Sequence, residues 1–454
     1  MTGRGVVLLA AALAGCTGQL GTLSVELVTA PGSTLLDDVV HARLTLTQPY
    51  TVVEADRDGG QGLVLEVDAT GASGQLLFEG LDAGGARIAV GQTPYLPIAA
   101  VDANVRIYVA PPVSLAAAPI ALEPARTEIG AGALGYGVLL AGGRGAGGAP
   151  LRDLVIYNAY DHQLQVGRDL PAARTGMAVG IGATGWAYLF GGADDRGAPS
   201  GTFWRFDTTV APAGAYLVLD PHPDLARIGA AAAPIGQERF LVTGAPPILI
   251  DGVTVSLGAV EAPGPPRLAG TATAVQTSDG AIYTVFAGDG NGASGVIRHG
   301  ADGFAEVTAP AEALRTGHGA APTPDGHVVV IGGATADGLV ASAVRVDPAA
   351  KTAEAIPDVL ATPRRDAAVA ANGQVLLVAG GTDAAGALVT DAELIDVASL
   401  ARLGTRPLIV PRTGAVAEAL PNGQILVVGG RDADGAPVGV VELFTPDLPQ
   451  VAAP

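Results

Sequence analysis

The chain has 454 residues, enough for two or three domains, and carries 44 acidic against 25 basic residues, a formal net charge of −19. That balance speaks against binding nucleic acid and against lying flat on anionic lipid, because both require a basic face. One cysteine, Cys16, gives no disulfide framework, and Lys351 is the only lysine, a bias that a genome rich in G and C explains without any functional demand for arginine.

Residues 1–15 hold one basic residue, Arg4, then the apolar run Val6 to Leu13, then small residues up to Cys16. This is the three-part pattern of a secretion signal, too short to span a bilayer once its flanks are counted. Leu13-Ala14-Gly15-Cys16 closely resembles the bacterial lipoprotein box. The resemblance implies cleavage before Cys16, lipid on its sulfur and amine, and attachment to the membrane through residues 16–21 as a lipidated linker. Thr17, in place of an aspartate, implies sorting onward to the outer membrane of a Gram-negative cell envelope. The competing reading is a buried cysteine behind an ordinary signal. Loss of Arg4 with the signal would leave the mature chain at a charge of about −20 and, with Cys16 lipidated, without a free thiol.

Residues 22–111 alternate apolar and polar positions in short runs. Leu23, Val25 and Leu27 form one run, Val40, Ala42, Leu44 and Leu46 a second, Leu63, Leu65 and Val67 a third, and Val105, Ile107 and Val109 a fourth. A period of two predicts half-buried antiparallel strands. The size of the region suits a small immunoglobulin-like or fibronectin-like β-sandwich, which would hold the rest of the chain off the membrane.

Residues 112–454 repeat. Arg126, Arg174, Arg227, Arg267, Arg315, Arg365 and Arg412 are each followed about sixteen residues later by a glycine pair or a worn version of one. The matching sites are Gly142-Gly143, Gly191-Gly192, Thr243-Gly244, Ala287-Gly288, Gly332-Gly333, Gly380-Gly381 and Gly429-Gly430, spaced 44 to 52 residues apart. A period in the forties marks a repeat architecture. Asp279-Gly280, Asp325-Gly326, Asn372-Gly373 and Asn422-Gly423 predict a type I′ hairpin turn before each glycine site. Apolar runs such as Val328 to Ile331 then predict strands covered on both faces. A third strand ends near Tyr157, Phe206, Val346, Ile395 or Phe444, and a fourth short segment leads to the next arginine. Four short strands per unit make a propeller blade.

These residues resemble the kelch-repeat β-propellers, whose units carry the paired glycine, an aromatic-acidic pair in the third strand and an arginine before the first. Phe206-Asp207 is the fullest match to the aromatic pair, the tryptophan usual in the fourth strand is missing, and units three and four are worn. The resemblance implies an all-β fold, a seven-bladed kelch-type propeller over residues 112–454. The seventh unit runs out after its third strand in a proline-rich tail, so the segment 113–122 is predicted to supply its fourth strand beside Val438 to Phe444.

Chemistry is sparse. No phosphate loop ending in Gly-Lys-Ser/Thr and no paired-histidine zinc motif occurs, and the six histidines fall in separate segments. His318 stands where kelch units often hold a packing histidine. The copper site of galactose-oxidase-type propellers needs a cysteine that Cys16 cannot supply once lipidated, and sialidase-type boxes do not fit. No catalytic residue, no cofactor and no metal is therefore expected. Asp432 and Asp434 are the weak calcium candidates, with ordinary turn chemistry as the alternative. Two readings of the arginines stay open: bidentate capture of an anionic ligand at the channel mouth, or hydrogen bonds to loop carbonyls and acids that stitch blade to blade.

The expected ligand surface comprises residues 144–150, 193–200, 289–295, 334–338, 382–387 and 431–437. The function expected is a non-catalytic, monomeric cell-envelope lipoprotein that presents a propeller to a protein or glycan ligand. The alternative is a propeller enzyme acting on sugars or sugar acids. The worn units between Arg227 and Val307 are where a site is expected to break the repeat.

Overall fold

The computed structural model describes residues 20–56, 64–68, 72–97, 103–236, 238–244, 247–260, 270–288 and 295–449. The leader, Cys16 and Arg267 lie outside them. The described chain is all-β apart from three single-turn 3-10 helices, and none of its helices is long and apolar enough to cross a membrane.

The described residues between 20 and 108 form two main sheets around one apolar core. One sheet runs in the order Val64–Asp68, Leu20–Val28, Ala103–Tyr108, and the other in the order Tyr50–Asp56, His41–Thr47, Leu76–Leu81, Arg87–Gln92. Val25, Leu27, Ile107 and Val109 of the first meet Ala42, Leu44, Leu46, Phe78 and Ala89 of the second. Two expectations are corrected here. Leu20–Val28 and Ala103–Tyr108 pair in parallel, because the whole region lies between them and supplies the long crossover that a parallel pair requires. Val40 is exposed at 47%, since the strand starts at His41 and Val39 takes the inward place before it.

Among the described residues seven four-stranded antiparallel sheets follow. Six are consecutive in the chain, beginning with Gly130–Leu134, Gly137–Ala141, Leu154–Asn158 and Gln163–Val166. The seventh joins the two ends of the region: Ser114–Ala117 pairs with Glu442–Thr445, outside Ile425–Val428 and Val416–Ala419. Backbone bonds from Ala118 to Val441 and from Leu122 to Gly439 extend that contact.

The innermost strands meet in ring order. Gly130–Leu134 touches Ala178–Ile181, then come Ala232–Pro234, Thr271–Gln276, Gly319–Pro322 and Ala368–Ala371, and Val416–Ala419 returns to the first. This ring is a β-propeller. Its cores lie between neighbouring sheets. Leu139, Leu154 and Ile156 pack on Leu189, Trp204 and Phe206, for example, while Leu377 and Leu394 pack on Ile425, Val427 and Phe444. Second strands covered on both sides explain the continuous apolar runs. Outer strands such as Gln163–Val166 are mostly exposed.

The type I′ turn expected at the first hairpins is not formed. Only the glycine is left-handed, with Gly280 at φ +85°, Gly373 at φ +91° and Gly423 at φ +78°. The loops are longer than two residues, and bonds such as Gly280 N–H to Thr277 O (2.9 Å) close a turn that needs one positive φ, not two.

Candidate functional site

The repeat arginines come first because their placement decides which surface is free. Arg126, Arg315 and Arg412 are fully buried, and Arg227 nearly so. Arg126 donates to the carbonyls of Pro124 (3.2 Å), Gly142 (3.2 Å) and Asp153 (3.1 Å). Arg315 reaches those of Glu312, Gly332 and Ser342, and Arg412 those of Val410, Gly429 and Val440. Each guanidinium thus gathers three turns of its own repeat. Arg227 holds Thr243 O at 2.7 Å in the worn third unit.

Two expected positions change. In the sixth repeat the buried arginine is Arg364, bound to Thr362 O, Gly380 O, Asp391 O and the Glu393 carboxylate at 2.6 Å. Arg365 is half exposed and pairs with Asp366 at 2.8 Å. With two adjacent arginines, the one sixteen residues before Gly380 fits the cage, and its neighbour necessarily points elsewhere. Arg174 is only half buried. It donates to Thr202 Oγ1 (2.8 Å) and Ala173 O and lies 5.3 Å from the Trp204 ring, so it does not bridge to its glycine pair.

Blade-to-blade stitching runs through the backbone rather than the guanidinium. The second glycine of a pair donates its N–H to the carbonyl of the arginine opening the next repeat: Gly143 to Arg174 (2.9 Å), Gly192 to Arg227 (2.7 Å), Gly333 to Arg364 (2.8 Å) and Gly381 to Arg412 (2.9 Å). Gly191, at φ +65°, shows why the pair must be glycine. A Cβ there would lie 2.5 Å from Arg227 O. The buried arginines are therefore absent from the channel mouth.

The mouth is built instead from the residues beside each pair. Thr413 bridges to Arg431, Arg365 to Thr382, and Arg126-Thr127 to Arg144-Gly145. Arg365, Arg431 and Arg144 thus stand on three consecutive sectors of the ring. Arg144 and Arg431 share the Glu128 carboxylate at 3.3 and 3.4 Å. The acidic glycine loops above them are closed by their own aspartates. Asp432 Oδ1 accepts the N–H groups of Asp434 and Ala436, and Asp194 and Asp383 do the same in their loops. Turn chemistry therefore accounts for Asp432, and Asp434 contributes its backbone. Among the described residues no group of three or more His, Cys, Asp or Glu side chains is placed to hold a metal.

Below the mouth the channel forms a cavity of about 500 Å³ lined by the innermost strands of all seven sheets. Opposite the residue three before each glycine site stand Gly132, Gly180, Pro234, Ala274, Ala321, Ala370 and, in the seventh sheet, Glu418. Glu418 is the single titratable group in this lining. Burial alone pushes its carboxyl up to about 7. Sequence reasoning missed it, because one glutamate among Val416, Ala417 and Ala419 reads as a solvated position on a short strand. Within this lining the symmetry breaks in the seventh repeat, while residues 245–246, 261–269 and 289–294 of the worn third and fourth units lie outside the described residues.

His318, at the start of an innermost strand, accepts or donates to Thr271 Oγ1 at 3.1 Å, and burial lowers its pKa to about 4. It serves packing. His162, buried between Tyr108 and Tyr157 and bonded to the Tyr157 hydroxyl at 2.9 Å, is likewise held down to about 3 by burial.

No protein-family model matches the chain, and no curated protein is matched. Among solved structures, the structure of YjhT is similar to 72% of this chain over 96% of its own length, at 13% identity and a TM-score of 0.47.

Proposed function

We propose that this is a non-catalytic cell-envelope lipoprotein. In this reading Cys16 carries the lipid, residues 22–111 form an immunoglobulin-like sandwich that acts as a stalk, and residues 112–454 form a seven-bladed kelch-type propeller, closed by 113–122, that binds a protein or glycan. The chain acts as a monomer on the outer membrane of a Gram-negative cell.

The observation that carries the binding role is the cluster of half-exposed arginines beside the glycine pairs, partly neutralised by Glu128 and Asp366. In a chain of net charge −19, Arg144, Arg365 and Arg431 gather on three consecutive sectors, and two of them share one carboxylate. Such a rim suits an acidic partner held by charge-assisted hydrogen bonds. The alternative of a sugar-acting enzyme needs an acid and a base in one pocket, and the channel lining offers Glu418 alone. Cross-linking on intact cells followed by pull-down tests the reading. The wild type should capture an envelope protein or glycan that the Arg144→Glu/Arg365→Glu/Arg431→Glu variant loses, and equal capture by both would sink it.

A further inference from the structure

The central channel contains a feature that the loop-face reading does not use. Glu418 sits in a cavity of about 500 Å³, a volume within the range of small-molecule sites, and its neighbours there are small and apolar. No protein hydrogen bond or ion pair reaches its carboxylate among the described residues, and burial is the sole influence on its titration. Its side chain is half-buried and faces the channel, and a carboxylate without a partner in so apolar a lining is costly. The other repeats show that construction of the ring does not require it, since they place glycine, alanine or proline at the same point.

The charge environment favours one sign of ligand. The two innermost strands flanking Glu418, Gly130–Leu134 and Ala368–Ala371, and its hairpin partner Ile425–Val428 carry no ionisable side chain. Nothing in the lining offers an anion a positive group. A divalent cation takes six or more oxygen ligands and would find one carboxylate. An alkylammonium fits both halves of the site. Its N–H groups bond the carboxylate, and its methylenes lie against Val179, Ile181 and Val369.

We propose that the propeller channel is a binding site for a small primary alkylammonium ligand, held by Glu418 through a charge-assisted hydrogen bond with its apolar body against the inner strands. The ligand binds the ionised carboxylate, so affinity follows the ionised fraction. A carboxyl titrating near 7 is about one-tenth ionised at pH 6 and about nine-tenths at pH 8, which makes binding about tenfold tighter at pH 8.

The test is calorimetric titration of the full chain with n-hexylamine, n-hexanol and hexanoate at pH 6 and pH 8. Hexylammonium should bind about tenfold tighter at pH 8, hexanoate and hexanol should give no comparable affinity, and Glu418→Gln should abolish both the binding and its pH dependence. Glu418→Ala installs the residue found at 321 and 370, and near-ultraviolet circular dichroism shows whether the ring stays intact. Absence of binding at pH 8, equal affinity in Glu418→Gln, or equal binding of hexanol would overturn the assignment. The triple arginine variant should keep full hexylammonium affinity, so failure of this site and failure of the loop-face reading are distinguishable.

Discussion

Arg412 and Glu442 are both fully buried and paired, and between them they also hold five backbone groups. Removing only the guanidinium strands a buried carboxylate, so Arg412→Ala should cost about 3–5 kcal/mol in urea unfolding. Arg412→Met/Glu442→Leu should recover only part of that, since the charges vanish together but the backbone groups they held lose their partners. A second residue-scale prediction concerns pH. Glu418 keeps its proton to about 7 in the folded chain but only to its ordinary 4.5 unfolded. Its contribution is therefore favourable below 4.5 and is lost as pH rises through 7. His162 and His318 act in the opposite sense: burial lowers both, so their stability is present above 6.5 and is lost as pH falls toward 4 and 3. Glu418→Gln should match the wild type at pH 4 and exceed it at pH 8 by about 1–2 kcal/mol, the smaller end reflecting water in the channel. A variant no more stable than wild type at pH 8 would remove the raised carboxyl from the account.

At the scale of strands and turns, each glycine pair has a defined neighbour. Gly191→Ala combines φ +65° with a Cβ in contact with Arg227 O and Leu225 O. It should cost about 2–4 kcal/mol by thermal or urea unfolding, while Gly197→Asn, at φ +77° with open space around it, should cost under about 1 kcal/mol. Equal losses would mean that strain, not the packed carbonyl, sets the penalty. These elements were legible in the sequence because apolar runs, glycine pairs and arginines recur together, and even the worn units keep four strands, Ala232–Pro234 through Ser256–Ala259 and Thr271–Gln276 through Gly303–Glu306. Most of what escaped was decided by contacts rather than period. Arg364 rather than Arg365 keeps the sixteen-residue spacing to its glycine pair and was legible in principle, whereas the weight of Glu418 depends on ring closure around it. The parallel pairing of Leu20–Val28 with Ala103–Tyr108 joins strands too far apart in sequence for any local signal.

For the molecule as a whole, the ring is only as continuous as its seventh sheet, and that sheet depends on a segment from the other end of the chain. Ser114–Ala117 covers the edge of Glu442–Thr445, where Leu443 and Phe444 are fully buried, and Leu122 is buried just beyond it. The preceding region adds polar contacts at the periphery, Arg87 to Asp447, Gln92 Nε2 to Asn422 O and the Tyr160 hydroxyl to Tyr95 O, and one buried contact, Tyr108 and Ala110 against Val138, Leu140, Tyr157 and His162. The two contributions can be separated by where a shortened chain begins. Starting at residue 112 removes the peripheral bonds and the buried Tyr108 and Ala110 but keeps the closing strand, so it should still unfold in one cooperative transition, below the full chain. Starting at residue 123 also removes the strand, its backbone bonds and buried Leu122, a loss of about 3–6 kcal/mol, and uncovers an apolar edge that invites pairing with another chain. Calorimetry should then show a broadened, lowered transition, and light scattering should show association. If both shortened chains melt alike and stay monomeric, the closing strand contributes nothing that the six consecutive sheets do not already supply.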